Sequence, residues 1–176
     1  ELLDGTGYSA ESLRANISND SKMLGDIKIL SASSGEQMTL DTVTLNLSQR
    51  GKLMDYRLHL GNRPGNMPEF AQVTASGYVG GNRASLFVRQ KNAKGKTGYR
   101  LGVTAAMLDS VLALHLTPVK AVIGYKNWTI NDDNYINIGP GRRIAADLQA
   151  ASGASSIALH SSVSSDSLPA LDVDIN

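Results

Sequence analysis

The sequence predicts an all-β protein laid out as a long antiparallel meander, and two observations predict it. Aliphatic residues recur at every second position along most of the 176 residues. Short Gly- and Asn-rich stretches interrupt that alternation at about a strand's length. Side chains of a strand point alternately to opposite faces, so each run carries one aliphatic face and one polar face. Leu171-Asp172-Val173-Asp174-Ile175 shows the pattern in its plainest form.

The elements can be justified in order. Leu13, Ala15 and Ile17 alternate, and Ile27 and Ile29 follow in a strand closed by Ser33-Ser34-Gly35. The apolar parity then changes between Met38, Leu40 and Val43, Leu45, Leu47, which requires a bulge or break near Asp41-Thr42. Gln49-Arg50-Gly51-Lys52 reads as a hairpin turn into Tyr56, Leu58 and Leu60. Gly61 to Pro68 is the longest loop, because its prolines cannot sit inside a hydrogen-bonded ladder. Gly80-Gly81-Asn82 joins Val73-Thr74-Ala75 to Leu86-Phe87-Val88 as a tight turn, since Gly and Asn accept positive φ. Asn92 to Lys96 does the same before Tyr99, Leu101 and Val103.

Thr104–Leu112 and Arg142–Ala151 have helical propensity. Leu112, Leu114, Leu116 and Ile144, Ala146, Leu148 nevertheless alternate, and a helix would break the meander on both sides, so both are assigned to strands. Ser152 to Ser155 is a further turn, before Ile157 and Leu159. The spacing predicts roughly ten to twelve strands.

Composition narrows the function classes. Lys and Arg number 17 against 16 Asp and Glu, so the whole chain offers no basic excess for nucleic acid. There is no Cys, which removes thiol chemistry and disulfides. No run reaches the roughly 20 apolar residues of a membrane helix. The sequence opens on Glu1, which reads as a processed chain or an excised segment. Aromatics make up only 5%. Faces of Leu, Ile, Val and Ala suit acyl chains, but they also suit a plain core, and on this observation alone the plain core comes first.

The chemistry-bearing residues form no catalytic constellation. His59, His115 and His160 each sit beside a leucine of an alternating run and are expected on the polar face. Gly139-Pro140-Gly141-Arg142-Arg143 reads as a basic turn, since Pro removes an amide that a phosphate loop would need. Asp132-Asp133-Asn134 lacks the ligand series of a calcium loop. No enzymatic activity, cofactor or metal is expected.

Leu112-Ala113-Leu114-His115-Leu116-Thr117-Pro118, the phrase from Trp128-Thr129-Ile130-Asn131 to Ile138, and Ile144-Ala145-Ala146-Asp147-Leu148 resemble the TamB (translocation and assembly module) family of the AsmA-like superfamily, in its Bacteroidetes form. The resemblance covers about Ala84 to Ser161 and is anchored on the Trp128 phrase. It implies that residues 1–176 are one β-groove domain, a segment of a much larger chain that is anchored in the inner membrane and crosses the periplasm. It implies strands curled into a U-shaped hydrophobic groove, a β-taco. It implies a role in moving phospholipid between inner and outer membranes, with acyl chains as the ligand. It also implies outer-membrane protein assembly with an Omp85-type partner, engaged through other parts of the full-length chain.

No catalytic residue carries over from the resemblance, only a rule for which residues face the groove. Ile17, Leu45, Leu47, Leu58, Leu60, Leu86, Val88, Leu101, Val103, Leu114, Ile130, Ile138, Leu148, Leu159 and Val173 are expected to line it. The alternative function is a periplasmic chaperone or scaffold that pairs its sheet edge with strands of an outer-membrane protein. A carbohydrate-binding sandwich is disfavoured by the scarcity of rings, and a membrane barrel by the missing aromatic girdles. A closed sandwich plugged by its own leucines, or a fold rich in helices, would contradict the groove.

Overall fold

The computed structural model describes residues 8–19, 22–34, 38–62, 68–162 and 170–175. These residues form one antiparallel sheet of thirteen strands, with no α-helix among them. In chain order the strands are β1 (Tyr8–Ser18), β2 (Leu24–Ser34), β3 (Met38–Arg50), β4 (Leu53–Asn62), β5 (Gln72–Gly80), β6 (Arg83–Lys91) and β7 (Thr97–Leu108). They continue as β8 (Val111–Ile123), β9 (Lys126–Ile130), β10 (Tyr135–Ile138), β11 (Ile144–Ser152), β12 (Ser155–Ser162) and β13 (Ala170–Ile175). Short 3-10 turns occur at Pro68–Phe70 and Pro140–Arg142. Gly35 and residues 63–67 of the long loop lie outside the described residues.

Apart from β9 and β10, neighbours in sequence are neighbours in the sheet, so the meander expected from the turns is present. Both segments with competing helical propensity are strands. Leu108 pairs with Val111 across a turn at Asp109–Ser110, and Ile144–Ser152 pairs with β12. Five connections are two-residue turns, at 51–52, 81–82, 109–110, 124–125 and 153–154. The first residue of each has φ between 53° and 62°, the hand that matches strand twist. Gly fills four of those positions and Asp109 the fifth. The expected irregularity near Asp41-Thr42 is there: the β3–β4 register shifts between Leu40 and Thr42.

The thirteenth strand arises because one strand position is split between β9 and β10. Both pair with β8 on one side and β11 on the other. Between them Asn131-Asp132-Asp133-Asn134 leaves the ladder, and side-chain amides replace the lost backbone pairing. Asn134, only 1% exposed, accepts from Leu116 N at 2.7 Å and donates Nδ2 to Leu116 O at 3.1 Å and to Asn131 O at 2.8 Å. On the other flank Asn131 Oδ1 accepts from Gln149 N at 2.8 Å. Each Asn thus stands in for a peptide group, one toward β8 and one toward β11. Among the described residues, no group of three His, Asp or Glu side chains is placed to hold a metal ion.

The sheet is a single layer in its main contacts. The substantial packing runs between hydrogen-bonded neighbours of the one sheet that the described residues form. The buried apolar residues are Ala121, Val122, Ile130 and Ala146, gathered where β8 and β11 flank β9 and β10. Stability therefore rests on the ladders and on cross-strand pairs, each contributing about 0.2–1 kcal/mol.

Asn134 gives a direct check. Asn134→Ala leaves the Leu116 N–H and C=O without partners at a buried site, a cost of about 2–4 kcal/mol. The expected outcome is an unfolding free energy lowered by that amount, read as a lower urea midpoint at unchanged m-value. A loss below about 0.5 kcal/mol, the size of an ordinary surface substitution, would show that the amide does not replace a ladder peptide.

Candidate functional site

Antiparallel partners project to the same face, so the registers can be followed across the whole sheet. Ile17 pairs with Gly25, then Leu47, Tyr56, Gly77, Leu86, Val103 and Leu116 in one continuous row. The next row runs Ala15, Ile27, Leu45, Leu58, Ala75, Val88 and Leu101. Leu60 lies between Val43 and Val73. Leu114 joins Ala105 to Ile136, and Ile138 pairs with Leu112 and Ile144. Leu148, Leu159 and Val173 form one row, and Ile130 faces Ala150. All fifteen residues expected to line a groove thus lie on one face.

That face is sealed only in part. Ile17 is 72% exposed, Val173 57% and Leu86 40%, Leu45, Leu58 and Leu101 are half-buried, and Ile130 is fully buried. The residues between them belong to the opposite face, where Asp26, Lys28, Asn46, Arg57 and Arg89 are exposed.

The apolar face holds a recess of about 270 Å³ that alternation alone did not mark. Its walls are Tyr56, Val79, Ala84, Leu86, Val103 and Ala105, with Tyr78 and Ser85 beside them. The size falls just below the usual range for small-ligand sites of about 300–1,000 Å³. Tyr56 donates its hydroxyl to Ser85 O at 2.8 Å, so its polar end is satisfied by backbone. It reaches that carbonyl across Gly77. A Cβ on Gly77 would lie 2.0 Å from Ser85 O and 2.9 Å from the Tyr56 hydroxyl, so only glycine fits there. The Ser85 hydroxyl in turn accepts from Tyr78 N at 3.1 Å. A lone Gly in mid-strand is a sequence signal for such a close backbone approach.

The polar face carries the three histidines, as their spacing requires. His59 pairs with Thr44 and Thr74. His115 Nδ1 lies 2.7 Å from Asn134 O, and His160 Nδ1 lies 3.1 Å from Asp147 Oδ1. At the β3–β4 turn Arg50 grips Asp55 through two hydrogen bonds of 2.9 and 3.0 Å. Those bonds hold the Asp55 carboxyl below its ordinary value of 3.8 and raise Arg50. Elsewhere Glu69 accepts a hydrogen bond from the Tyr125 hydroxyl, which holds that hydroxyl above its ordinary value and keeps it neutral.

No family model, no curated protein and no solved structure matches this chain. The geometry of the site therefore carries the functional argument.

The Arg50–Asp55 pair sets a pH dependence whose sign follows from the lowered carboxyl. Its contribution to folding is present above the ordinary carboxylate pKa of 3.8 and is lost as pH falls through the lower folded value. The stability difference between the natural chain and Asp55→Asn should be small, constant from neutral pH to about pH 5, and gone in stronger acid. Urea titrations of both proteins over that range check it; a difference that grows on acidification contradicts the assignment.

Proposed function

We propose that this chain is a non-enzymatic segment of a bridge-like lipid-transport protein of the TamB/AsmA-like type. In that reading it lies in the periplasm and holds phospholipid acyl chains against its apolar face on their way between inner and outer membranes. The single observation that carries the proposal is the continuous aliphatic face, which runs through β1 to β13 and stays half-buried or exposed over most of its length, closing only around Ile130 and Ala146. Exposed apolar surface on this scale marks a binding surface.

The finer shape, a sheet curled into a U, belongs to the same proposal. Two details support it. The close approach of Ser85 O at Gly77 lies on the apolar side, so the backbone folds toward that side between β5 and β6. β11 also comes within contact range of β13, with β12 between them. A sheet of this strand count extends about 50 Å along its hydrogen-bonding direction, at about 4.8 Å per strand.

The energetics suit a conduit. A tail lying on one wall is covered on one side, so twelve methylenes at about half of 0.8 kcal/mol each contribute about 5 kcal/mol. That holds a chain without trapping it. A slot of near-uniform aliphatic character has no end stop, so sliding along it costs little and chains of different length are accepted alike.

Leu86→Glu combined with Leu101→Glu places two charges on neighbouring rows of this face. Lipid recovered by mass spectrometry from the gently purified double variant should fall about tenfold or more, equivalent to about 1.4 kcal/mol. Ser76→Glu on the polar face serves as the control and should leave recovery unchanged. Unaltered lipid recovery from a folded double variant would sink the proposal.

A second reading, strand pairing with an outer-membrane protein through an Omp85-type partner, is favoured by β1 and β13, the edge strands of the sheet among the described residues. Ser152 and Ser155 flank a two-residue turn and form a hydrogen-bonded pair. Counting outward from that pair, the Val173 N–H faces away from β12. Val173→Pro therefore removes an outward donor and spares the ladder. It should abolish capture of unfolded outer-membrane β-barrel polypeptide if strand addition operates; equal capture by the variant excludes pairing at this edge.

A further inference from the structure

The near-neutral total charge conceals a strong segregation. Residues 83–126 hold eight Lys or Arg and a single acidic residue, Asp109. Residues 127–176 hold six Asp and only two Arg. The meander sharpens this division in space. β6 runs toward the 92–96 turn and β7 runs away from it, while β8 runs toward the 124–125 turn and β9 runs away. Both turns therefore lie at the same end of the sheet. They are also tied together: Tyr125 N donates to Gly98 O at 3.0 Å, and Arg100 Nη2 donates to Lys120 O at 2.9 Å.

Seven of the eight cations, Arg89, Lys91, Lys94, Lys96, Arg100, Lys120 and Lys126, lie in or within four residues of these turns. Arg83 and Asp109 lie at the opposite end. Among the described residues none of the five lysines enters an ion pair. Lys96 sits 5.3 Å from the Tyr125 ring centroid. The nearby carboxylate, Glu69, is engaged by the Tyr125 hydroxyl. Asn92 Oδ1 accepts from Lys94 N and Lys96 N at 3.1 and 3.0 Å, which fixes the loop that presents the two lysines.

This end also adjoins the apolar face. Tyr99, 43% exposed, pairs with Gln90 beyond the row of Leu101 and Val88, and Phe70, 44% exposed, sits on the 3-10 turn that packs on β6. Cations flanked by exposed rings at the margin of an aliphatic surface match the two halves of an anionic lipid, phosphate beside hydrocarbon.

We propose that this basic end docks the anionic phosphates of lipid headgroups and so is where lipid enters or leaves the apolar face. The proposal rests on the reading of that face as an acyl-chain surface and adds the headgroup chemistry. Nucleic acid fits less well, since the cations are bunched at turns beside an aliphatic wall.

The test uses Lys94→Glu, Lys96→Glu and Lys126→Glu together, all exposed side chains at the turns. The natural chain should sediment with vesicles containing phosphatidylglycerol at least about tenfold better than with pure phosphatidylcholine, and high salt should erase the difference. The triple variant should lose the preference while keeping its circular dichroism. Equal sedimentation of the natural chain with both vesicle types, preference for duplex DNA over anionic vesicles, or an undiminished preference in the variant each overturns the basic end. The two ideas separate cleanly: a chain that yields no lipid on extraction yet binds anionic vesicles through these lysines supports the basic end and sinks the conduit.

Discussion

Everything in this molecule depends on keeping one parity in phase across the sheet. A side chain changes faces with every residue, so a one-residue slip in any ladder would turn a whole strand's aliphatic residues to the polar side. The turns and irregularities can be read as devices that hold this phase. Two-residue turns return apolar opposite apolar directly. The shift at Leu40/Thr42 absorbs a residue where the sequence itself changes step. Between β9 and β10 the chain carries a surplus, and Asn131 and Asn134 take it up by lending their side-chain amides to β11 and β8. A buried Asn is ordinarily a liability; here its amide has the same donor and acceptor as the peptide it replaces.

Much of this was legible in the sequence because alternation is a local signal. Leu45, Leu58 and Leu101 could be assigned to a face one strand at a time, and their faces agree only because the turns are of the right length. The parity change at Asp41-Thr42 was equally visible, as was the strand character of Ile144-Ala146-Leu148 against its helix propensity. What escaped was non-local. Asp132-Asp133-Asn134 reads as an ordinary polar turn, since nothing nearby shows that Asn134 will be buried against Leu116, eighteen residues earlier. The roles of Tyr56 and Gly77 depend on Ser85, two strands away from Tyr56. The lysines of the 92–96 and 124–125 turns were each visible, but the whole-chain balance of 17 against 16 averaged away their grouping.

The partial exposure of the aliphatic face has an energetic meaning. An ordinary sandwich buries one face of each sheet against the other and gains most of its stability there. Here much of the aliphatic face is left half-wet, and the buried apolar residues are gathered where β8 and β11 flank β9 and β10. Where the face is half-wet, part of the cohesion of a closed core is missing, and hydrocarbon laid there restores some of it. Ligand and fold are then thermodynamically linked: what binds the face also steadies the ladder beneath it.

The strand count carries one more consequence. Because β9 and β10 share a position, the sheet has twelve rungs, and alternation over an even number leaves β1 and β13 running in opposite directions. A unit of this kind can be repeated by sliding a copy sideways, with no flip: the incoming first rung meets the outgoing last one antiparallel, and its aliphatic side falls on the same side as before. An odd number of rungs would force a parallel junction. The fold is in this sense a tile whose left border is cut to fit its right.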